Sequence, residues 1–375
     1  MIPFNKPYLT GKELDKIVEA HGLGQLAGDG HFTELSSSWL EKNTGCHRAL
    51  LTHSCTAALE MSAILLNISP GDEIIMPSYT FVSSANAFVL RGGVPVFVDI
   101  RSDTLNIDET LIEEAITPNT KAILPVHYAG IACEMGVIMD IAKRHNLFVI
   151  EDAAQGIMSK YQDMPLGSIG DIGCISFHET KNIISGEGGA LLINNKNFIE
   201  RAEILRDKGT DRKKFFRGEV DKYSWQDIGS SFLPGETMAA FLYAQLEDAN
   251  FITAERIKIW EQYDKNLSIF RKDNSLYSMP VIPKNCLGNG HLYYLLMRDA
   301  QTRDNFIKHM RDHHIQCIFH YIPLHNSLGG NRYGRISGSL RVTEDLSSRI
   351  VRFPLWIGVD IEKIINAVKI FKDSF

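Results

Sequence analysis

The sequence predicts an α/β fold, a mostly parallel sheet covered by helices, with a smaller C-terminal α+β unit behind it. Three observations carry this. Short apolar runs rich in β-branched residues alternate with helical patterns through residues 48–195, which argues for βαβ units and a doubly covered sheet. After "ALLINN" (190–195) the rhythm changes to a charged segment, "RDKGTDRKKFFRGEVDKYSWQDIG". A long helical pattern from about Glu236 to Leu267 then leads into mixed strand-like and helical runs.

In order, "RALLTHS" (48–54) reads as a strand, "CTAALEMSAILLN" (55–67) as a helix, "DEIIMPS" (72–78) as a strand and "TFVSSANAFVLRG" (80–92) as a helix. "VPVFVD", "KAILPVHYAG" and "LFVIEDAAQG" continue the strands, separated by helical "DETLIEEAI" and "MGVIMDIAKRHN". The later runs "GHLYYLLM", "RDNFIKHMRDHH", "IQCIFHYIP", "SSRIVRFP" and "EKIINAVKIFKD" suggest the smaller unit. The expected division places a large domain at 1–250 and a small one at 251–375, with no flexible linker and a cleft between them, where small-molecule sites often lie.

Composition excludes several classes. At 44% apolar and 22% charged the chain is an ordinary globular one, and 375 residues suffice for a substantial core. Its 39 Lys and Arg are interspersed with 45 Asp and Glu, giving a net charge of −6 and no basic face for nucleic acid. Six scattered cysteines without a CxxC pair argue against a disulfide framework. No segment reaches the ~18 apolar residues of a membrane span, so a reducing cytoplasm is the expected location.

Ligands in such sheets bind beyond the carboxyl ends of the strands, so the polar residues there are informative. "GLGQLAGDG" (22–30) is one residue off a dinucleotide fingerprint, but a helical pattern precedes it where a strand is required, and it reads as a turn. Asp152, after "LFVIE", and Lys181, after "CISFH", are opposite charges at one rim. They read either as an ion pair or as brackets around a ligand that is basic at one end and electrophilic at the other. Pyridoxal phosphate is such a ligand: its aldehyde takes a lysine amine and its ring nitrogen an acid. Ser54, Cys55 and Thr56 open a helix straight after a strand, as N-caps or as an anion cradle. Tyr79 and Phe81 offer an aromatic surface.

Taken together, "THSCTAALEM", "MPSYTFVSSANAF", "VIEDAAQG" and "SFHETKNIISGEGGA" resemble the DegT/DnrJ/EryC1/StrS family of nucleotide-sugar aminotransferases over essentially the whole chain. "HYAGIACEM", "DKGTDRKKFFRGEVDKYSW", "GSSF" and "FHYIPLH" are similar to the members that make dTDP-4-amino-4,6-dideoxyhexoses. The resemblance implies fold type I, pyridoxal 5'-phosphate (pyridoxamine phosphate in turnover), and a homodimer with shared active sites. It implies Lys181 as the Schiff-base lysine, Asp152 at the pyridine nitrogen, Gln155 near the phenolic oxygen, and Ser176, Cys55 and Thr56 at the phosphate. Phe81 is implied as the stacking aromatic. The family's cross-subunit asparagine is replaced near Leu233, with Ser230 or Ser231 as substitutes.

The implied reaction moves an amino group from L-glutamate to the C4 ketone of dTDP-4-dehydro-6-deoxyglucose, the galactose-configured product being favoured over the glucose-configured one. A C3-aminating relative is the alternative. "TDRKKFFRG" (210–218) is a solvated loop, or Arg212, Lys213 and Arg217 grip a diphosphate. The resemblance assigns "CIFHYIPLH", with His320, Tyr321 and His325, to the sugar site rather than to a metal, whose spacing it does not match. Three rivals rank lower. A related dehydratase would carry histidine in place of Lys181, and a nicotinamide oxidoreductase needs a glycine loop that "THSCTAA" lacks. A silent cofactor-binding regulator would turn nothing over.

Overall fold

The computed structural model describes residues 1–268 and 277–373. The principal early strands are β1 (Arg48–Thr52), β2 (Glu73–Pro77), β3 (Val94–Val98), β4 (Thr120–Ile123), β5 (Phe148–Asp152), β6 (Ile172–Ser176) and β7 (Gly189–Ile193). The principal later ones are β8 (Tyr277–Ser278), β9 (Tyr293–Met297), β10 (Arg335–Ile336) and β11 (Ile350–Phe353). The main sheet has the order β1-β7-β6-β5-β4-β2-β3-β10. All its neighbours are parallel except β7, which runs antiparallel to both β1 and β6. The sheet is therefore mostly parallel, and β7 starts at the rim where β1 and β6 end.

The principal helices are α1 (Glu13–Gly22), α2 (His31–Thr44), α3 (Cys55–Leu65), α4 (Val82–Val89), α5 (Met135–His145), α6 (Ile199–Arg206), α7 (Glu236–Glu247), α8 (Ala249–Ser268), α9 (Ala300–Asp312), α10 (Arg341–Arg349) and α11 (Ile361–Asp373). Separate apolar cores lie on the two faces of the sheet. A third core fills the C-terminal lobe, where β8, β9 and β11 form an antiparallel sheet. A fourth cluster, with Tyr79, Tyr128, Tyr294 and Leu292, joins the two lobes.

Local differences from the sequence reading have physical causes. The long helical pattern divides at Asp248, whose backbone (φ −101°, ψ 11°) leaves the helical region between α7 and α8. The strand in "KAILPVHYAG" stops at Ile123: Pro125 has no N–H to donate, and Ala129 takes a positive φ of 59°. "DETLIEEAI" gives a 3₁₀ turn and one turn of α-helix.

The turn before α2 is built around Glu236, whose buried carboxylate accepts from the N–H groups of Gly30 (3.0 Å) and Phe32 (2.7 Å) and from the Thr33 hydroxyl. A Cβ at Gly30 would lie 2.7 Å from Glu236 Cδ. That glycine serves helix capping, as the turn reading expects. Two ties hold the C-terminal segment to the sheet. Arg335 grips Glu73 with two bonds (2.6 and 2.8 Å), and Asp99 caps α10 through the N–H groups of Val342 (3.0 Å) and Thr343 (2.8 Å).

Candidate active site

Three strand ends and one helix start converge at the carboxyl rim. Thr52 of β1 and Ser176 of β6 both lie opposite Gly189, the first residue of β7. Above Gly189 runs the Ser54–Cys55 peptide, so close that a Cβ would meet Cys55 N at 2.4 Å. Ser54 caps α3, its Oγ accepting from Ala57 N at 3.1 Å. The first-turn N–H groups of Cys55 and Thr56 have no carbonyl of a preceding turn to serve and point out of the helix end. Thr56 Oγ1 lies 2.8 Å from Ser83 Oγ, joining the starts of α3 and α4. The start of α3, with Cys55 and Thr56, and Ser176 at the end of β6 thus meet around Gly189, where backbone dipoles favour an anion.

The two carboxylates ending β5 point to opposite faces, as successive strand residues must. Glu151 faces inward and is fully buried, accepting from the N–H groups of Gly167 (2.8 Å), Ile169 (2.6 Å) and Gly170 (2.7 Å). It also meets His127 Nε2 at 3.0 Å. Cys133 N donates to His127 Nδ1 at 3.2 Å, which assigns the ring proton to Nε2. Glu151 is therefore a structural anchor. Asp152 turns to the rim, buried, accepting from Ser84 Oγ at 2.6 Å and Ala154 N at 3.1 Å. Ser84 is a residue the sequence reading missed, although "FVSSANAF" places it in the first turn of α4.

Lys181 follows β6 on a short loop and lies in electrostatic reach of Cys55 and Asp152. Its ammonium makes no hydrogen bond or ion pair among the described residues. Burial pushes it below the ordinary lysine range, Cys55 and Asp152 act in the opposite sense, and Arg352 adds to the lowering. The Cys55 thiol is pushed well up by burial, with Asp152 adding to the rise. The two side chains that bracket the site are near each other without being paired.

Aromatic groups close the pocket. Gln155 spans it, accepting from Ala129 N (2.7 Å) and donating to Tyr321 Oη (3.2 Å). Tyr321 stacks on His320, whose Nδ1 is 2.7 Å from Tyr128 Oη. Phe81, 56% exposed at the start of α4, has its ring centroid 6.3 Å from Tyr321. The lysine loop is fixed from the C-terminal lobe. Asn182 donates to Asn289 O (2.9 Å) and meets His291 Nδ1 (2.9 Å), while Asn289 donates to the carbonyls of Gln155 and Ile157 at 2.8 Å each.

The remaining candidates lie apart from this cluster. Arg212, Lys213 and Arg217 are on a short helix (Arg212–Phe216) and its C-cap, paired with Asp207 (3.6 Å), Asp29 (3.4 Å) and Glu203 (2.8 Å) respectively. His325 is buried between Ser78 Oγ (2.6 Å) and Glu344 (3.3 Å), pinning its loop to the end of β2. Leu233 packs over Gly28, and Ser230 and Ser231 are exposed. Among the described residues no three His, Cys, Asp or Glu side chains group to hold a metal ion.

A half-buried lysine with an unpaired, desolvated amine, beside a hydrogen-bonded aspartate and near a backbone cradle, fits pyridoxal phosphate: amine, acid and anion site are all supplied by residues present. This fold and site define a pyridoxal-phosphate-dependent transferase of fold type I. The sequence profile of the DegT/DnrJ/EryC1/StrS aminotransferase family matches residues 7–372, and the chain belongs to that family. It is 31% identical to the GDP-perosamine synthase of Escherichia coli O157:H7, with 97% of this chain and 96% of that protein aligned. The structure of the aminotransferase TlmJ from Streptoalloteichus hindustanus superposes with a TM-score of 0.91 at 28% identity, covering 100% of this chain and 99% of that one. A PLP form of the putative sugar aminotransferase Spr1654 from Streptococcus pneumoniae gives a TM-score of 0.89 at 25% identity, covering 99% and 98%. The protein is a pyridoxal-phosphate-dependent sugar aminotransferase.

Proposed function

We propose that the enzyme moves the amino group of L-glutamate to the C4 ketone of dTDP-4-dehydro-6-deoxyglucose. The product is a dTDP-4-amino-4,6-dideoxyhexose for surface polysaccharide synthesis, with the galactose configuration favoured. The observation that carries the chemistry is the buried Lys181 amine, unpaired beside Asp152. The sugar rests on the resemblance of "HYAGIACEM" and "FHYIPLH" to the dTDP-4-amino-4,6-dideoxyhexose enzymes.

Cys55, Thr56 and Ser176 would hold the cofactor's phosphate, Asp152 its ring nitrogen, Gln155 its phenolic oxygen and Phe81 its ring face. The cofactor supplies an aldehyde that links to amines and an electron sink for the carbanion beside the transferred nitrogen. Lys181, as the free amine, takes the proton from Cα of glutamate. In the second half it delivers a proton to C4 of the sugar, acting first as base and then as acid. Asp152, fixed by Ser84 Oγ and Ala154 N, would accept a hydrogen bond from the ring nitrogen. In this reading His320, Tyr321 and His325 would contribute to the sugar site, His325 by pinning its loop to the end of β2, and Arg212, Lys213 and Arg217 would exchange their carboxylate partners for the diphosphate.

The working unit in this reading is a cytoplasmic homodimer. Each subunit has lobes at 1–250 and 251–375, and Ser230 or Ser231 does the work of the missing asparagine. The similarity to a GDP-perosamine synthase supports a second reading with GDP as the carrier. Purified enzyme incubated with L-glutamate and either dTDP- or GDP-linked 4-keto-6-deoxysugar, with product identification by NMR, separates the two. A C4 amine on the dTDP sugar is expected; amination at C3, or turnover of the GDP sugar alone, overturns the first reading.

A further inference from the structure

Asn289 lies in the connection ahead of β9 and is fully buried. Each polar atom of its side chain is used. Nδ2 donates to the carbonyls of Gln155 and Ile157 at 2.8 Å each, and Oδ1 accepts from His291 N at 3.0 Å, a set that only one orientation of the amide satisfies. Its own backbone carbonyl accepts from Asn182 Nδ2 at 2.9 Å. A third segment packs on it: Gly130 has a positive φ of 75°, and a Cβ there would collide with Asn289 Oδ1. A side chain that positions others must itself be fixed, and α8 does this. Its buried Arg256 donates to the carbonyls of Gly290 (3.2 Å) and His291 (2.7 Å), with Gly290 turning at a φ of 63°. The segments that meet at this amide carry what faces the cofactor site: Gln155, Lys181 next to Asn182, and Ala129, whose N–H holds Gln155 Oε1 at 2.7 Å.

We infer that Asn289 is a positioning residue for the transfer reaction, fixing Lys181 and Gln155 relative to each other. The chemistry gives the reason for such a tie. The phenolic oxygen and the aldehyde of pyridoxal phosphate stand on adjacent ring carbons, so a group at the oxygen and an amine at the aldehyde act side by side. Gln155 and Lys181 nevertheless come from different loops, one after β5 and one after β6. Among the described residues no hydrogen bond joins those loops directly, and Asn289 bridges them. It acts through the backbone of both, at the residues beside the working side chains. Proton transfer feels such placement strongly, an error on the order of 1 Å costing about 100-fold.

Resting on the roles given above to Lys181 and Gln155, the inference is tested with wild type, N289A, N182A and the double variant. In apoenzyme, hydrogen exchange is expected to rise over both 155–157 and 181–182 in N289A, and over 181–182 alone in N182A. Holoenzyme is then mixed with L-glutamate and the cofactor's absorbance followed. The limiting rate is expected to fall about 10- to 100-fold in each single variant, with the half-saturating glutamate concentration unchanged. The double variant should be no slower than N289A, because both substitutions break one tie. The pH midpoint of the visible absorbance of cofactor on Lys181 should rise in N289A, where Gln155 no longer steadies the ionised phenolic oxygen, and stay put in N182A. Losses that multiply in the double variant overturn the inference. So does a lower urea midpoint for N289A with its rate and absorbance unaltered, the mark of a purely structural residue. Should N289A not fold, N182A reacting at the wild-type rate overturns it alone. Exchange and absorbance need no amino donor, so an enzyme inert to glutamate still decides the inference and fails only the reading of the donor. Borohydride fixation of the cofactor at a lysine other than Lys181 overturns the site reading and the inference together.

Discussion

A lysine attacks a carbonyl only as the free base, and burial of the Lys181 amine disfavours its charged form. Its amine should therefore be neutral at lower pH than the ~10.4 of a free side chain. The expected outcome is that apoenzyme captures pyridoxal phosphate faster as pH rises, with the rate levelling off below that value, measured by stopped-flow absorbance. Lys181→Ala is expected to retain the pyridoxamine form and to lose at least about 10²-fold in transfer, as when a positioned acid–base group is removed; NMR of the sugar product checks it. Lys181 and Asp152 were legible in the sequence because each closes an apolar run, and a charge there demands an account. Ser84 was not, because a serine in "FVSSANAF" reads as an ordinary first-turn residue and only tertiary folding carries it to Asp152. Glu151 shows the converse: it neighbours Asp152 in sequence, yet three backbone N–H groups that bind it come from a loop whose path no local pattern records.

At the scale of elements, the cradle depends on a strand running the wrong way. β7 is antiparallel to its neighbours, so its first residue, Gly189, lies beneath the start of α3. Gly189→Ala would drive a methyl into the Ser54–Cys55 peptide. The expected outcome is at least a 10-fold weaker affinity for pyridoxal phosphate, on the order of one lost charge-assisted hydrogen bond, with a parallel loss for inorganic phosphate by calorimetry. Gly30→Ala would displace the Glu236 carboxylate from the start of α2. A lost cap costs about 1 kcal/mol, read as a lower urea midpoint with cofactor affinity unchanged. The alternation of strands and helices was legible because apolar periodicity is local. The reversed direction of β7 was not, since "ALLINN" has the same composition whichever way it runs.

For the whole molecule, two ionic ties fasten the C-terminal segment to the main sheet. Arg335 holds Glu73 by a two-bond grip at the end of β2 opposite the site, and Asp99 caps α10. Arg335→Ala is expected to lower stability by about 1–3 kcal/mol, the range for hydrogen bonds to charged groups. Hydrogen exchange over 335–353 should rise with it, while exchange in β5 and β6 stays protected. The break at Asp248 was hidden in the sequence because a helical pattern with no glycine or proline reads as continuous. β10 carries a further consequence for how the chain is made. Two residues near its far end seal the edge of a sheet whose other members emerge from the ribosome much earlier. Until Arg335 and Ile336 are synthesised, β3 presents a bare hydrogen-bonding margin to its surroundings. Nascent or prematurely stopped chains are thereby exposed to pairing with one another, and that interval of synthesis is when a chaperone matters most.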